Sequence, residues 1–153
     1  MGNSNLKQNI DEFKVNNNAW FFHYDGIEVM MMILPDIDYW AGVDGFIYRI
    51  KNGALKRLRL SNNGIGYFKI RLSTKEGVKS HYIHRLIANA WYEDGDSDSN
   101  GNYRNEINHM DGDKTNNKLS NLERCSKVEN AQHLSRVLKS QDFISWRLQK
   151  LSY

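Results

Sequence analysis

The sequence predicts an α+β fold in which a small antiparallel sheet module precedes a core that ends in a helix. Three dipeptides that favour tight hairpin turns, Asp25-Gly26, Asp44-Gly45 and Asn52-Gly53, separate short apolar and aromatic runs in the N-terminal half. Apolar residues instead recur at helical spacing in residues 84–92 and 126–139. Hairpins followed by helices in a chain of 153 residues indicate one α+β unit.

The N-terminal half divides into an arm and a sheet. Residues 1–19 are polar and rich in asparagine, and we interpret them as an N-terminal arm. Residues 20–82 form the predicted antiparallel sheet module. Its first hairpin, residues 20–34, is expected to join the core, with a partner-binding surface as the alternative. The segment 66–72 alternates between apolar and polar residues, as a strand with one buried face does. Its apolar positions are Phe68, Ile70 and Leu72.

A helix is predicted from His84 to Tyr92, because apolar residues recur there at helical spacing. The residues expected to face the core are Leu86, Ile87, Ala90 and Trp91. A polar loop at 93–105 and two short strands, at 106–110 and 121–125, are predicted to follow.

A second helix is predicted to begin at Ser126. Ser126 and Glu129 match a capping box, in which the serine caps the helix and the glutamate reaches back to the serine NH. The residues expected to pack on the core are Val128, Ala131, Leu134 and Leu138. We interpret residues 83–140 as one core and residues 141–153 as a C-terminal helical tail.

The formal net charge of +3 conceals four segments of opposite sign. Residues 45–92 carry ten lysines and arginines against one acid, a net of +9, and residues 114–153 carry a net of +5. Residues 1–44 and 93–113 are acidic, with nets of −5 and −6. Two basic blocks can form a positive face that binds nucleic acid, although charges scattered over the surface give the same totals.

The composition excludes several classes of protein. A single cysteine, Cys125, excludes a disulfide scaffold and a cysteine-based zinc site. No apolar run approaches the ~18 residues of a membrane span, and the N-terminus lacks the apolar core of a secretory signal. We therefore expect a soluble, cytoplasmic protein with no membrane partner.

The stretch 106–130 carries the pattern that is most informative about function. His109 ends a predicted strand, Asn121 lies twelve positions later, and Asn130 lies nine positions after that. A strand, loop, strand and helix that fold back can bring these side chains together. An imidazole with a reference pKa of ~6.5 can take a proton from water near neutral pH. Amide oxygens of asparagine can serve as ligands for Mg²⁺.

This pattern resembles the HNH endonucleases of the ββα-metal fold, in particular the small phage- and intron-encoded homing type. The matching positions are Asn108-His109, Asp111-Gly-Asp-Lys-Thr-Asn-Asn117, Asn121-Leu122 and Glu129-Asn130. Upstream, the segment Ile-His-Arg-Leu-Ile-Ala at 83–88 resembles a Val-His-Arg-Leu-Val-Ala segment of that family. Residues 35–82 look like the small sheet module that is often fused ahead of the motif, so the resemblance covers about residues 35–135.

The resemblance implies a metal-dependent endonuclease that hydrolyses phosphodiester bonds in duplex DNA. His109 would be the general base that activates water, and Asn121 would tie the loop and orient His109. Asn108 and Asn130 would hold one divalent ion, Mg²⁺ with Mn²⁺ as the alternative, that binds the phosphate and stabilises the departing oxygen. Many relatives have aspartate where this chain has Asn108, so we expect weaker metal binding here.

The expected partner is double-stranded DNA, bound by a monomer or a homodimer. His84 and Arg85 are candidate DNA contacts, and packing beneath the sheet is the alternative role for His84. Further candidates are basic residues expected to share one face of the sheet and to contact phosphates. They are Arg49, Lys51, Lys56, Arg57, Arg59, Lys69, Arg71 and Lys79.

Two alternatives remain open. The chain could be a DNA-binding protein with a catalytically degenerate HNH core, although the presence of His109 and Asn130 favours an enzyme. Asp96, Asp98 and the residues after them also mimic the opening of a calcium loop. That loop needs an acid at its twelfth position, where this chain has Ile107, so a solvated acidic loop is favoured.

Overall fold

The protein is described by a computed structural model that covers residues 19–35, 37–93, 95–136 and 139. Apart from Ala19, the predicted arm at 1–19 lies outside the described residues, as does the predicted tail at 141–153. The strands within the described part are β1 (Ala19–Tyr24), β2 (Ile27–Ile33), β3 (Trp40–Gly42), β4 (Ile47–Lys51), β5 (Ala54–Arg57), β6 (Ser61–Asn62), β7 (Phe68–Thr74), β8 (Gly77–Tyr82), β9 (Glu106–His109) and β10 (Leu122–Cys125). Helix α1 spans Ile83–Trp91, a 3-10 turn spans Leu119–Asn121, and helix α2 includes residues 127–136. The predicted α+β class is confirmed.

Strands β1 to β5 form an antiparallel sheet in chain order. The turns at Asp25-Gly26 and Asn52-Gly53 have positive φ at both residues, which matches the type I′ hairpin predicted for them. The Asp44-Gly45 connection is longer than a two-residue turn, because it runs over residues 43–46 between β3 and β4. There the Asp44 carboxylate accepts hydrogen bonds from the Phe46 NH and the Tyr48 hydroxyl, which stabilises the longer loop.

Strands β6, β7 and β8 form a second antiparallel sheet. The alternation predicted for residues 66–72 is confirmed, since Ile70 and Leu72 are buried and Phe68 packs against the same cluster. The main core lies between this sheet, the first sheet, α1 and the β9–β10 hairpin. Its members come from both sides of the predicted segment boundary at 82/83, for example Ile47 and Ile87, so the two segments share one core.

A second apolar cluster lies on the other face of the five-stranded sheet. Phe22, Val29, Met31 and Tyr48 are buried in it, and the ring of Phe22 meets that of Trp40 edge to face at 5.0 Å. The hairpin at 20–34 is therefore part of the core, as expected.

The two helices differ in how they are buried. Helix α1 buries Ile83, His84, Ile87 and Ala88, whereas the predicted Leu86, Ala90 and Trp91 pack at the edge of the core. In α2 the predicted core packing is wrong, since Val128 is 43% exposed, Leu134 is 54% exposed and Ala131 is exposed. Ala131 and Leu134 line a cleft between α2 and strand β9 instead of packing on the core. Leu138 lies outside the described residues.

No helix in the described part of the chain is long and apolar enough to cross a membrane.

Candidate active site

The residues of the predicted motif lie on a hairpin and the helix that follows it. Strands β9 and β10 are antiparallel, with His109 opposite Leu122 and Asn108 opposite Glu123. Helix α2 begins directly after β10, and its start is the predicted capping box. The Ser126 NH donates to the Glu129 carboxylate at 2.9 Å, and the Glu129 NH donates to the Ser126 hydroxyl at 3.2 Å. This strand, loop, strand and helix order is the one that the sequence predicts.

Asn121 ties together the loop between the two strands. Its amide group donates to the Asp111 carboxylate at 2.9 Å and to the Asn116 carbonyl at 2.8 Å, and its amide oxygen accepts from the Asp111 NH at 3.1 Å. The Asn121 carbonyl also accepts from the Met110 NH at 2.9 Å. Asn121 therefore fixes the chain directly after His109.

His109 is held by a different asparagine. The His109 side chain is buried, and its Nε2 lies 2.8 Å from Oδ1 of Asn117, which is also buried. An amide oxygen can only accept, so Nε2 donates and the lone pair of the neutral ring is on Nδ1. Asn117 therefore makes the side-chain contact with His109, whereas Asn121, which was expected to tie the loop and orient His109, bonds the loop and does not reach the ring. Asn117 belongs to the motif quoted above, but the sequence does not distinguish which loop asparagine reaches the ring.

Asn108 and Asn130 each present a free amide oxygen. The Nδ2 of Asn108 donates to Glu123 at 2.8 Å, and its Oδ1 accepts no hydrogen bond from the part of the chain that the structure describes. The Asn130 side chain forms no hydrogen bond with any described residue, and only its backbone NH is bonded, to the Ser126 carbonyl. Both side chains are therefore free to bind a ligand.

His109, Asn108 and Asn130 line one cleft with a volume of about 350 Å³. The structure thus brings together three of the four predicted catalytic and metal-binding residues, while Asn121 lies behind them in the loop. His133, Tyr67, Lys114 and Lys127 also line the cleft.

The donor atoms at this cleft fit a hard divalent cation. Mg²⁺ prefers oxygen ligands and is often bound by one or two protein groups, with water and substrate phosphate completing its shell. The free amide oxygens of Asn108 and Asn130 are such ligands. Among the described residues no group of three or more His, Cys, Asp or Glu side chains could hold a metal ion, so a carboxylate-rich or zinc-type site is not formed there.

His84 lies directly against His109. Their ring centroids are 5.2 Å apart, and the Tyr67 ring lies 5.1 Å from His84. Burial, and then unfavourable electrostatic interactions with His109 and Arg85, lower the pKa of His84 from 6.5 to about 4, so this ring is neutral near pH 7. His84 is only 6% exposed, which corrects the prediction that it contacts DNA.

The basic residues of the sheets do not share one face, as the sequence analysis expected. Arg57 is paired with Tyr48 while Lys56 is paired with Arg49, so Arg57 lies on the opposite face of the first sheet from Arg49, Lys51 and Lys56. The guanidinium of Arg57 covers the ring of Phe46 at 4.4 Å.

The remaining basic candidates are spread over other elements. Lys69, Arg71 and Lys79 belong to the second sheet, where Lys79 forms an ion pair with Glu76. Arg59 lies in the segment between β5 and β6, and Arg85 is 3.7 Å from the Glu106 carboxylate beside the cleft. The predicted single positive sheet face is therefore wrong, because the chain divides these residues between two sheets.

Side chains of the acidic loop at 95–105 form hydrogen bonds with the first turn of α2. Asp98 is buried and accepts a hydrogen bond from the Ser126 hydroxyl at 2.7 Å. That bond, with further ones from Asn102 and Asn100, lowers the pKa of Asp98 to about 2. Arg104 donates to both carboxylate oxygens of Glu129, at 2.9 and 2.8 Å. The loop is thus not a calcium loop, because its central carboxylate is used inside the protein. Most of its other described residues are exposed, as expected for a solvated loop.

Comparison with known proteins yields a consistent family resemblance. No family model matches the chain. It is 37% identical over 79 residues to the uncharacterized HNH endonuclease L247 of Acanthamoeba polyphaga mimivirus, a match that covers 51% of this chain and 19% of that protein. It is 32% identical over 96 residues to the uncharacterized HNH endonuclease L245 of the same virus, covering 63% of this chain and 27% of that protein.

A solved structure shows the same resemblance. The HNH homing endonuclease I-HmuI, described in a study of DNA binding and cleavage, superposes with a TM-score of 0.50 at 30% identity, covering 70% of this chain and 60% of that one. The predicted resemblance to HNH endonucleases is therefore confirmed in sequence and in fold. The chain spans about a fifth to a quarter of the length of the viral relatives it matches.

Proposed function

We propose that this protein is a metal-dependent endonuclease of the HNH homing type that hydrolyses phosphodiester bonds in duplex DNA. The observation that carries the proposal is the position of His109, which lines one cleft with two asparagines whose amide oxygens are free. The similarity in sequence and fold to HNH endonucleases supports DNA as the substrate.

In this proposal His109 acts as the general base. Asn117 fixes the Nε2 proton, so the Nδ1 lone pair is available to take a proton from water as the water attacks the phosphorus. Burial of both side chains restricts the ring to one orientation, which keeps the base aligned during the reaction. Asn121 acts indirectly in this scheme, by fixing the loop that carries Asn117.

Asn108 and Asn130 would hold the divalent ion through their amide oxygens. A bound ion supplies positive charge that stabilises the charge developing on the phosphate and the leaving oxygen. Mg²⁺ is the expected ion, with Mn²⁺ as the alternative. Neutral amides attract a cation less strongly than carboxylates, so we expect cleavage to need more free metal than an aspartate ligand would require.

Double-stranded DNA is the proposed partner. The sequence carries one HNH motif, so each monomer would cut one strand, and double-strand cleavage would require a homodimer or two separate events. We also propose that the protein acts in the cytoplasm of a host cell, because the relatives L247 and L245 are encoded by a virus.

Nicking of supercoiled plasmid tests this function against a DNA-binding protein without turnover. The substrates are an arbitrary plasmid and one that carries the DNA flanking the protein's own gene, because a stringent target site would hide activity on the first. We expect nicking with Mg²⁺ or Mn²⁺, its loss with a chelator and its recovery when metal is added back. Binding of both plasmids with no nicking under any metal condition would favour the DNA-binding alternative.

A further inference from the structure

Two lysines and two tyrosines form a continuous row that leads to the cleft. The Nζ of Lys69 lies over the ring of Tyr82 at 4.5 Å, and the Tyr82 ring meets that of Tyr67 edge to face at 5.8 Å. The Nζ of Lys114 then lies over the Tyr67 ring at 4.7 Å. We call Lys69, Tyr82, Tyr67 and Lys114 the cation–aromatic row.

The row ends at the proposed catalytic residues. Tyr67 and Lys114 line the same cleft as His109, and the ring centroids of Tyr67 and His109 are 6.0 Å apart. Its other end is on β7 and β8 of the second sheet, where Lys69 is paired with Tyr82. The row therefore connects the outer face of that sheet to the cleft.

The lysines of the row are not neutralised within the protein. In the part of the chain that the structure describes, neither Lys69 nor Lys114 lies within ion-pair distance of a carboxylate. Lys114 is exposed, and its ammonium group also contacts the Ile65 carbonyl at 3.4 Å, which with the Tyr67 ring holds the side chain in place. Cations that are held in position but lack an acidic partner are suited to binding an external anion.

The other basic candidates are less suited to this role. Lys79 is paired with Glu76, and Arg85 faces Glu106. Arg57 lies on the first sheet over Phe46, away from the residues that line the cleft. Among the described residues that line the cleft, the basic side chains without a carboxylate partner are Lys114 of the row and Lys127 of α2.

We infer that the cation–aromatic row binds the sugar-phosphate backbone of the DNA strand that enters the cleft, with Lys69 and Lys114 on phosphates and the two tyrosines against the sugars between them. This inference rests on the proposed nuclease function and adds Lys114, Tyr67 and Tyr82 to the DNA-binding residues. Each phosphate contact releases condensed counterions, so the affinity depends on salt in proportion to the number of contacts.

The test measures binding in a His109→Ala background, so that no cleavage occurs. A labelled random-sequence duplex is titrated without metal at several KCl concentrations, in otherwise unmodified protein and in Lys69→Gln and Lys114→Gln variants. We expect each substitution to weaken binding and to reduce the slope of log K against log salt by about 0.9. Lys75→Gln is the matched control, because it removes the same charge from the exposed β7–β8 turn.

The contribution of the tyrosine rings to DNA binding is tested separately from that of the lysine charges. Tyr67→Phe keeps the ring under Lys114 and should bind like the parent, whereas Tyr67→Leu keeps every charge and should bind about 2- to 5-fold more weakly. Thermal melts of each variant check that the fold is retained.

Equal salt slopes for Lys69→Gln, Lys114→Gln and Lys75→Gln would overturn the inference. Failure of the inference can be distinguished from failure of the nuclease proposal, because binding is measured without cleavage. If the protein nicks plasmid but the three variants have equal salt slopes, only the inference about the cation–aromatic row is rejected. If Lys69→Gln and Lys114→Gln reduce the slope but the protein never nicks plasmid, only the nuclease proposal is rejected.

Discussion

The Nε2 of His109 donates a hydrogen bond to Oδ1 of Asn117 at 2.8 Å, and both side chains are buried. The contact joins the end of β9 to the far side of the loop that follows it. It fixes the ring and directs the lone pair of Nδ1, so one loop residue determines which nitrogen can act as a base.

Replacement of Asn117 by alanine should reduce DNA nicking by about 10- to 100-fold, because the imidazole loses the group that fixes its orientation and its protonated nitrogen. Binding of random-sequence DNA should stay at the level of the parent. The matched control is Asn116→Ala, which removes the neighbouring amide that bonds Asp111 instead of His109. A loss of activity that is equal in the two variants would contradict the role assigned to Asn117.

The backbone of the loop that carries Asn117 also packs against Gly45, in the connection between β3 and β4. A Cβ added to Gly45 would lie 2.6 Å from the Asn117 carbonyl oxygen, and the φ of Gly45 is +88°. Gly45→Ala should lower the free energy of unfolding by more than about 2 kcal/mol, because backbone strain adds to a clash with backbone atoms. It should also reduce nicking, since Asn117 must move.

The control for that prediction is Gly26→Ala. Gly26 has a φ of +75° but open space around its Cβ position, so this variant carries the backbone strain alone, about 1 kcal/mol. Chemical denaturation compares the two variants. Equal destabilisation of the two variants would show that the close approach of Gly45 and Asn117 does not limit the side chain at position 45.

Because of His84, the folded protein should be less stable in mild acid than at neutral pH. Its pKa is about 4 in the folded protein and 6.5 ordinarily, so between these values the unfolded chain binds the additional proton. The stability is therefore complete above pH 6.5 and falls as the pH is lowered towards 4, by up to about 3 kcal/mol. Urea unfolding across this range should show the loss in the parent protein and a much flatter dependence in His84→Leu. The same pH dependence of stability in the parent and in His84→Leu would contradict the attribution of this loss to His84.

Asp98 predicts a second loss of stability at lower pH. The Ser126 hydroxyl holds its pKa at about 2, below the ordinary 3.8, so the stabilising bond is complete above pH 3.8 and is lost as the pH falls towards 2. Thermal melts over this range should show a steeper fall in the parent than in Asp98→Asn, which has no carboxyl to titrate. A variant that loses stability as steeply as the parent would exclude Asp98 as the cause.

Local features of the fold were predictable from the sequence because each depends on neighbouring residues. The type I′ turn at Asn52-Gly53 follows from two residues that tolerate positive φ. The capping box of Ser126 and Glu129 follows from their spacing, and the HNH motif brought His109, Asn108 and Asn130 to one cleft.

The errors concern contacts between residues that are distant in the chain. Whether Asn117 or Asn121 reaches His109 depends on how the loop folds back, and both residues fit the same motif. The bond between Asp98 and Ser126 spans 28 positions, so the sequence did not indicate that this one carboxylate of the loop is buried. The division of the basic residues between two sheets depends on where the chain leaves the first sheet after Arg57, which side-chain alternation does not show.

The most direct test of the proposed active site compares two histidines in one nicking assay. His109→Ala and His23→Ala remove the same group, but His23 is an exposed residue of β1 outside the cleft. With Mg²⁺ or Mn²⁺ and a plasmid that the parent protein nicks, we predict parental nicking by His23→Ala and loss of at least about 100-fold by His109→Ala, with unchanged DNA binding. Nicking by His109→Ala at the rate of His23→Ala would contradict the assignment of His109 as the general base.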